Sequence, residues 1–459
     1  MNSTWTLHVE DFARIKDADI QISPLMCFIG DNNSGKSYLM SLLWGIMTNG
    51  NMFFRQDPIE TPTYLECTQW FLNHVNSETV VDEVAEQVYL RWFNELLESR
   101  KHELLRRIFN SDLVSAGKIE LRDFHRATKL PVTVVNVGDK PTLKLSHKHR
   151  EDLFSGEKSD SIGVEIPLEC TKSKIGLWQA NFYICWNLLM MDWVTISTTN
   201  APPIYLPPSR TGFILARRNI FNSSIRYTYG LPNDEVEVQD KLTAPCIQFL
   251  QMLNELSNTL ANPSEKTASV VRLLNEEILH GTINVTKSDG RKDILYRPAD
   301  MASRELPLML SSAVVTEVAS LILLLTTKIP LRLVIIEEPE AHLHPALQKK
   351  MAQALIRFVH CGIPVWITTH SDTILQHFNN MLKLSNRSET KRAALLEQFQ
   401  YINDDLLNKD EITLYQFTRT EVNTDIEKIE PSKYGFVVPS FNSAIEDLMN
   451  EVFAFQGDD

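Results

Sequence analysis

The sequence predicts an α/β protein whose mostly parallel core sheet is interrupted by a helical insertion, and three stretches predict it. Leu25-Met26-Cys27-Phe28-Ile29 runs into Gly30-Asp31-Asn32-Asn33-Ser34-Gly35-Lys36-Ser37 and then into the apolar-periodic Tyr38-Leu39-Met40-Ser41-Leu42-Leu43-Trp44. That is a glycine-rich turn between a buried strand and a helix. Leu331-Arg332-Leu333-Val334-Ile335-Ile336 is a run of strand formers ending in Glu337-Glu338, and Pro364-Val365-Trp366-Ile367-Thr368 is another, ending at Thr369-His370-Ser371. Apolar runs without polar alternation belong to strands covered on both faces, as parallel strands are, and ligands bind beyond the carboxyl ends of such strands.

In chain order, Trp5 to Val9 and Ile15 to Ile22 are predicted as two short strands that lead through Pro24 to the first core strand. The helix after the glycine-rich turn stops at Thr48-Asn49-Gly50, so residues 1–50 form the first part of the core unit. Residues 51–200 read as the insertion. Within it Val81, Val84, Val88, Trp92 and Leu96 recur at helical spacing. Val132 to Val137 and Thr142 to Leu145 are predicted to pair as a hairpin across Gly138-Asp139-Lys140-Pro141, with Ile162 to Leu168 as a further strand. Gly176 to Val194 is the most apolar long stretch, yet it carries Gln179, Asn181, Asn187 and Asp192, which makes it a buried or partner-packed helix rather than a membrane span.

Residues 201–400 form the second part of the core. Ile204-Tyr205-Leu206 is a short strand halted by Pro207-Pro208 and followed by Ser209-Arg210. From 240 to 279 the pattern is helical, broken near Asn262-Pro263. Thr282 to Val285 then pairs with Ile294 to Tyr296 across Asp289-Gly290. Ser311 and Ser312 precede an apolar helix, Val314 to Leu325, and either serine suits an N-cap. Leu347, Met351, Leu355 and Phe358 give the helix after the paired acids its buried face. Residues 401–459 supply a closing strand, Thr413 to Phe417, and a last helix, Asn442 to Phe453. Asp404-Asp405 and Asp410-Glu411 read as solvated loop acids.

The chemistry follows from these placements. Gly30 and Gly35 let the backbone curl, so that the N–H groups of Asp31, Asn32, Asn33 and Ser34 converge on a phosphate while the new helix turns its positive end to the same anion. Lys36 is then expected to reach the β- and γ-phosphates of ATP, and the Ser37 hydroxyl to ligate Mg²⁺. Glu337, at the end of a buried strand, is expected on the metal directly or through water. Glu338 is expected to polarise the attacking water, and His370, at the end of the next strand, to donate to the γ-phosphate. His342 and His344 alternate with no cysteine nearby and do not make a zinc site.

A net charge of −13 over 459 residues argues against a broadly basic nucleic-acid surface. Arg100-Lys101, Arg106-Arg107, His147 to Arg150 and Arg210 to Arg218 are the candidates for a local basic groove that could meet nucleic acid, each reading first as a solvated face. The six cysteines form no C-x-x-C pair and the stretch from Asn2 to Asp19 is polar, as expected of a reduced cytoplasmic protein without a signal peptide.

Taken together, phosphate loop, insertion, serine-led helix, paired-acid strand and histidine-ended strand resemble, over Trp5 to Leu375, the ABC-type ATPase heads of the SMC, RecF and OLD superfamily. The resemblance implies a head-to-tail dimer with two ATPs sandwiched. In it Ser311 and Ser312, with Ala313, form the signature motif and cap the γ-phosphate held by the second subunit. It also implies a D-loop over Ala341 to His344 and a switch role for His370. Glu337 stands where the superfamily more often has Asp and Ala313 where it has Gly, and Gln179 is the one candidate for a glutamine loop. Slow turnover, suited to a switch, is the expectation. Leu206 to Arg210, the Ser-Ser-Ala start and the tail Tyr434 to Phe441 are similar to compact ATPases of bacterial anti-phage defence, of the PARIS and Septu types. That likeness implies a homo-oligomer that restrains a separate TOPRIM nuclease and releases it when a phage trigger protein is sensed. The tail is too short for a TOPRIM domain of its own. A RecF-like repair or recombination ATPase is the alternative.

Overall fold

All three core runs are strands in the computed structural model. It describes residues 4–50, 53, 59–75, 79–126, 129–136, 143–151, 158–190, 202–216, 242–256, 263–288, 291–301, 304–326, 331–433, 435–439 and 449–455. The chain divides into two units, residues 1–22 with 38–203 and residues 23–37 with 204–459.

In the first unit β1 (Thr4–Phe12) pairs antiparallel with β2 (Ile15–Gln21) on one edge and β5 (Lys118–His125) on the other. Ala18 and Ile20 of β2 are buried and Asp17, Asp19 and Gln21 exposed, as on a sheet with one covered face. Helices α2 (Pro62–Asn73), α3 (Glu83–Phe109) and α4 (Lys174–Met190) bring Tyr64, Trp92 and Trp178 together, with ring centroids 5.0 to 5.5 Å apart. Helix α3 keeps the predicted face at Trp92 and Leu96 and departs from it at Val84. Val84 is 76% exposed, and Ala85, Tyr89, Trp92, Phe93 and Leu96 are buried. The reason is the cap: the Asp82 carboxylate accepts from the Ala85 N–H, so Val81 lies in the extended lead-in and sets no helical phase. Helix α4 is buried, as predicted, and its Asn181 accepts from the Tyr89 hydroxyl at 2.9 Å. Among the described residues no helix is long and apolar enough to cross a membrane.

A second sheet of this unit orders β4 (Thr79–Val80), β6 (Pro131–Val135), β8 (Lys158–Pro167) and β7 (Lys144–Glu151) as β4-β6-β8-β7. The expected hairpin between 132–137 and 142–145 is therefore corrected. β6 runs parallel to β8, and the antiparallel pair is β7 with β8. Val164 and Ile166 are fully buried, which makes β8 the central strand and leaves each predicted hairpin arm on a different edge of it. The turn at 138–141 lies outside the described residues.

The second unit carries the strand order β16-β15-β3-β14-β13-β9. β9 (Ile204–Leu206), β13 (Val334–Glu337), β14 (Val365–Thr369), β3 (Leu25–Gly30) and β15 (Ile412–Arg419) are parallel neighbours, and β16 (Thr424–Ile429) closes antiparallel. Every residue of β3, β13 and β14 is buried. Thr368 is aligned with Glu337 on one side and Phe28 on the other, so the carboxyl ends of the three strands coincide.

Around this sheet lie α1 (Lys36–Thr48, its first residues only), α5 (Ala244–Leu256), α6 (Ala268–Leu273, continued as a π-helical turn Leu274–Leu279), α7 (Ala313–Leu325), α8 (Pro345–His360), α9 (Asp372–Ser385) and α10 (Glu389–Phe399). β10 (Gly281–Ser288) and β11 (Arg291–Pro298) form the predicted pair, extended by β12 (Leu306–Pro307). Helix α7 is buried from Val315 to Leu325 and capped by Ser312. Helix α8 opens with Pro345 and buries Met351, Leu355 and Phe358.

One predicted solvated acid is not solvated. Asp405 is fully buried, accepting from Arg357 Nε at 2.6 Å, Arg357 Nη2 at 3.1 Å and the Ile402 N–H at 2.8 Å. It is drawn inward because Arg357 is on the inner face of α8 and needs a counter-charge. Asp404 and Asp410 are exposed. In the tail, Asn379 of α9 accepts from the Phe436 N–H and donates to its carbonyl. Residues 449–455 are helical, and the rest of the predicted last helix, 442–448, lies outside the described residues.

Candidate active site

The phosphate loop leaves β3 at a position only glycine fits. Gly30 has φ +138°, and a Cβ there would meet the Phe417 carbonyl oxygen of β15 at 2.0 Å. Asn33 (φ 59°) and Gly35 (φ 95°) continue the curl. Lys36 closes it, its Nζ donating to the carbonyls of Gly30 at 2.9 Å and Asp31 at 2.6 Å and to Ser34 Oγ at 3.3 Å. Burial pulls the Lys36 ammonium down to about 8, while the carboxylates of Asp31, Glu338, Glu337 and Glu340 act to hold its proton. The Asp31 carboxylate accepts from the Arg419 N–H at 2.9 Å, which anchors the rim. Asp31, Asn32, Asn33 and Ser37 are exposed.

Across 300 residues of sequence, the Ser37 hydroxyl donates to Glu337 Oε2, and the Tyr205 hydroxyl donates to Glu337 Oε1 at 2.6 Å. Glu337 is 5% exposed. Burial raises its pKa, against the lowering effect of those two hydrogen bonds. Glu338 leaves the strand in the left-handed region, φ 45°, a conformation that costs a non-glycine residue on the order of 1 kcal/mol and clusters at functional sites. Its N–H bonds the Thr368 carbonyl at 2.9 Å. Two residues on, Glu340 accepts from the His370 N–H at 2.6 Å, and burial raises its pKa. The His370 imidazole is held below its ordinary pKa by burial and by the Lys36 charge, so it is neutral at pH 7 and can donate from one nitrogen.

The fold thus brings Gly30 to Ser37, Glu337, Glu338 and His370 to the shared carboxyl ends of adjacent strands. Ser311 and Ser312 are at the amino end of α7, where Ser312 Oγ accepts from the Val315 N–H and Ser311 Oγ donates to the Pro307 carbonyl. Gln179 is exposed on α4 in the first unit. Within the second unit the strand flanking β13 ends instead in Pro207-Pro208-Ser209-Arg210. Four residues of the cluster escaped the sequence reading: Tyr205, Arg210, Glu317 and Glu340. Arg210 had a signal in its Pro-Pro-Ser-Arg context, and Glu317 in being the single charge within the apolar helix 313–325.

The donor set fits a nucleoside triphosphate with a hard cation. A hydroxyl and a carboxylate already face each other, oxygen donors being what Mg²⁺ takes, and the buried lysine is satisfied only by loop oxygens that phosphate oxygens can replace. A phosphate loop, an acid-ended parallel strand and a histidine-ended strand between them define an ATPase of the phosphate-loop class, on a mixed α/β fold. The profile of the AAA ATPase domain family (AAA_15) matches residues 6–153 and 221–375, and the chain belongs to that family. It is an ATP-hydrolysing enzyme.

No curated protein matches the chain by sequence. Similar solved structures include the SMC head bound to the C-winged helix domain of ScpA, at TM-score 0.37 and 11% identity over 93% of this chain and 97% of that one. Another is the Pyrococcus furiosus SMC head with an extended coiled coil bound to the C-terminal domain of ScpA, at 0.38 and 11% over 98% and 99%. A third is the SMC head domain from Thermotoga maritima, at 0.36 and 11% over 94% and 100%.

Proposed function

We propose that the chain is the ATPase head of a nucleotide-dependent switch, with residues 1–50 and 201–459 as the head and 51–200 as its insertion. The loop amides and Lys36 neutralise the phosphates. Ser37 and Glu337 hold Mg²⁺, whose chemistry when bound is to offset charge on the phosphate oxygens. Glu338 takes the proton of the attacking water as the new oxygen–phosphorus bond forms and the bond to ADP breaks. His370 donates to the γ-phosphate, and Ser311 and Ser312 of a second copy cap it, so that a head-to-tail dimer forms with nucleotide. The observation that carries this reading is the Ser37–Glu337 hydrogen bond, which joins the two halves of the site beside a buried Lys36.

On the sequence likeness, we assign the switch to anti-phage defence. It resembles AriA, the ATPase of the PARIS system, with PtuA of Septu as the near rival. Its partners are then further copies of itself, a separate TOPRIM nuclease of AriB type that it restrains, and a phage trigger protein. Phosphate release and light scattering on wild type and Glu338→Gln test the chemistry, the variant being expected to accumulate ATP-bound dimers. Affinity capture from infected and uninfected cells tests the role. A nuclease subunit held before infection and lost after it supports the defence reading. An ATPase stimulated by DNA, with no such subunit, favours the RecF-like repair alternative instead.

A further inference from the structure

Arg210 is the most deeply buried charge beside the site, 1% exposed, and its arms reach three elements. Its Nε pairs with Glu317 Oε2 of α7 at 2.8 Å, the carboxylate being 2% exposed. Nη1 donates to the Glu337 carbonyl at 2.7 Å and the Pro207 carbonyl at 3.2 Å, and Nη2 to the Glu338 carbonyl at 3.3 Å. The next residue binds α7 as well. The Thr211 N–H donates to Glu317 Oε1 at 2.9 Å, and the Thr211 and Thr316 hydroxyls are 2.7 Å apart.

A buried ion pair is a poor device for stability, because desolvation offsets its attraction and apolar replacements often match it. What this pair supplies is placement. The two carbonyls it holds flank the left-handed turn that aims Glu338, and the carboxylate it holds is on the helix that begins at Ser312.

We propose that Arg210 is the positioning residue of the Glu338 turn and that, through Glu317, it couples the serine-led start of α7 to the water-polarising acid of the same chain. The inference rests on the ATPase reading above. When an anion is capped at Ser311 and Ser312, the shift of α7 moves Glu317. Arg210 carries that shift to the carbonyls of Glu337 and Glu338, so each protomer's acid responds to the nucleotide held by its neighbour.

The test uses the full chain and three variants, Arg210→Lys, Glu317→Gln and the double variant Arg210→Met with Glu317→Leu, whose apolar pair keeps the buried volume filled. Each is read for thermal melting, fluorescent-ATP affinity, kcat, KM and the Hill coefficient of turnover. Displacing a catalytic group by about 1 Å costs on the order of 100-fold. Arg210→Lys and the double variant are therefore expected to bind ATP within about twofold of wild type while kcat falls at least tenfold and the Hill coefficient drops to 1. Glu317→Gln keeps an acceptor for only one of Arg210 Nε and the Thr211 N–H and turns an amide NH2 to the other, so it is expected to lower the Hill coefficient and to lose part of kcat; a wild-type Hill coefficient in this variant counts against the coupling. Turnover within threefold of wild type in either folded Arg210 variant overturns the proposal, as does a parallel loss of affinity and kcat. Lys36→Ala separates the two claims: ATP binding indifferent to that change sinks the site itself, whereas a Lys36-dependent site indifferent to Arg210 sinks only the coupling.

Discussion

Among the described residues of the second unit two arginine–carboxylate pairs are buried, and their wiring differs. Arg357 of α8 meets both oxygens of Asp405 through Nε and Nη2, and the remaining acceptor bond comes from the Ile402 N–H close by. Its last arm, Nη1, reaches only the Ser269 carbonyl of α6, at 3.5 Å, so that pair fastens one loop and two helices away from the phosphate loop. Arg210 gives Glu317 a single arm and turns the others to the carbonyls of Glu337 and Glu338. The same two ionic groups therefore serve as a fastener in one place and as the frame of a reactive turn in the other. The difference lies in which backbone groups the guanidinium has left to satisfy.

The comparison can be broken at either end. The largest expected effect is at the framed turn itself: Glu338→Gln should lower kcat by about 10²- to 10⁴-fold, the range of general-base catalysis, with melting temperature and ATP affinity near wild type. Phosphate release under saturating ATP measures it. Next is the fastener, where Asp405→Ala leaves Arg357 buried without its partner. Urea unfolding is expected to show a loss of about 3–5 kcal/mol with kcat of the remaining folded protein within twofold. A fall in kcat with stability unchanged would erase the distinction between the two pairs.

Smaller effects sharpen the picture around Glu337. Tyr205→Phe removes one of the two hydroxyls on that carboxylate, worth about 1 kcal/mol, so the Mg²⁺ concentration for half-maximal turnover should rise about fivefold. A pH dependence, spread over two units rather than made by a substitution, completes the set. Lys36 titrates at about 8 in the free protein, and phosphate oxygens favour its charged form. Below pH 8 it is protonated with or without nucleotide and affinity is flat. Above pH 8 binding must take up a proton, so the dissociation constant should climb by up to about tenfold per pH unit between 8 and 10.

What was legible in the sequence was whatever a local pattern carries. The curl from Gly30 to Ser37 needs glycines at fixed places, and β3, β13 and β14 are buried on both faces, so their composition announces them. Ser312 as a cap is likewise a short-range fact. Pairings that depend on distant residues left no such trace. Arg210 looked like the end of a proline-halted strand, and only the fold shows the carbonyls it faces. Asp405 read as a loop acid because Arg357 is on another element. On α3 Trp92 and Leu96 were legible and Val84 was not, since Val81 is apolar yet lies before the Asp82 cap and sets no helical phase. β6 and β7 were paired by proximity in the chain, whereas the apolar alternation that selects a partner lies in β8.

The claim on which all of this depends is that Lys36, buried in its loop beside Glu337, is the nucleotide's principal anchor. A titration of the full chain with a fluorescent ATP analogue, with and without Mg²⁺ and in wild type and Lys36→Ala, asks that question directly. Saturable, Mg²⁺-dependent binding that weakens by about 100-fold or more when the buried ammonium is removed is the expected result. Equal affinity in the two proteins would contradict it.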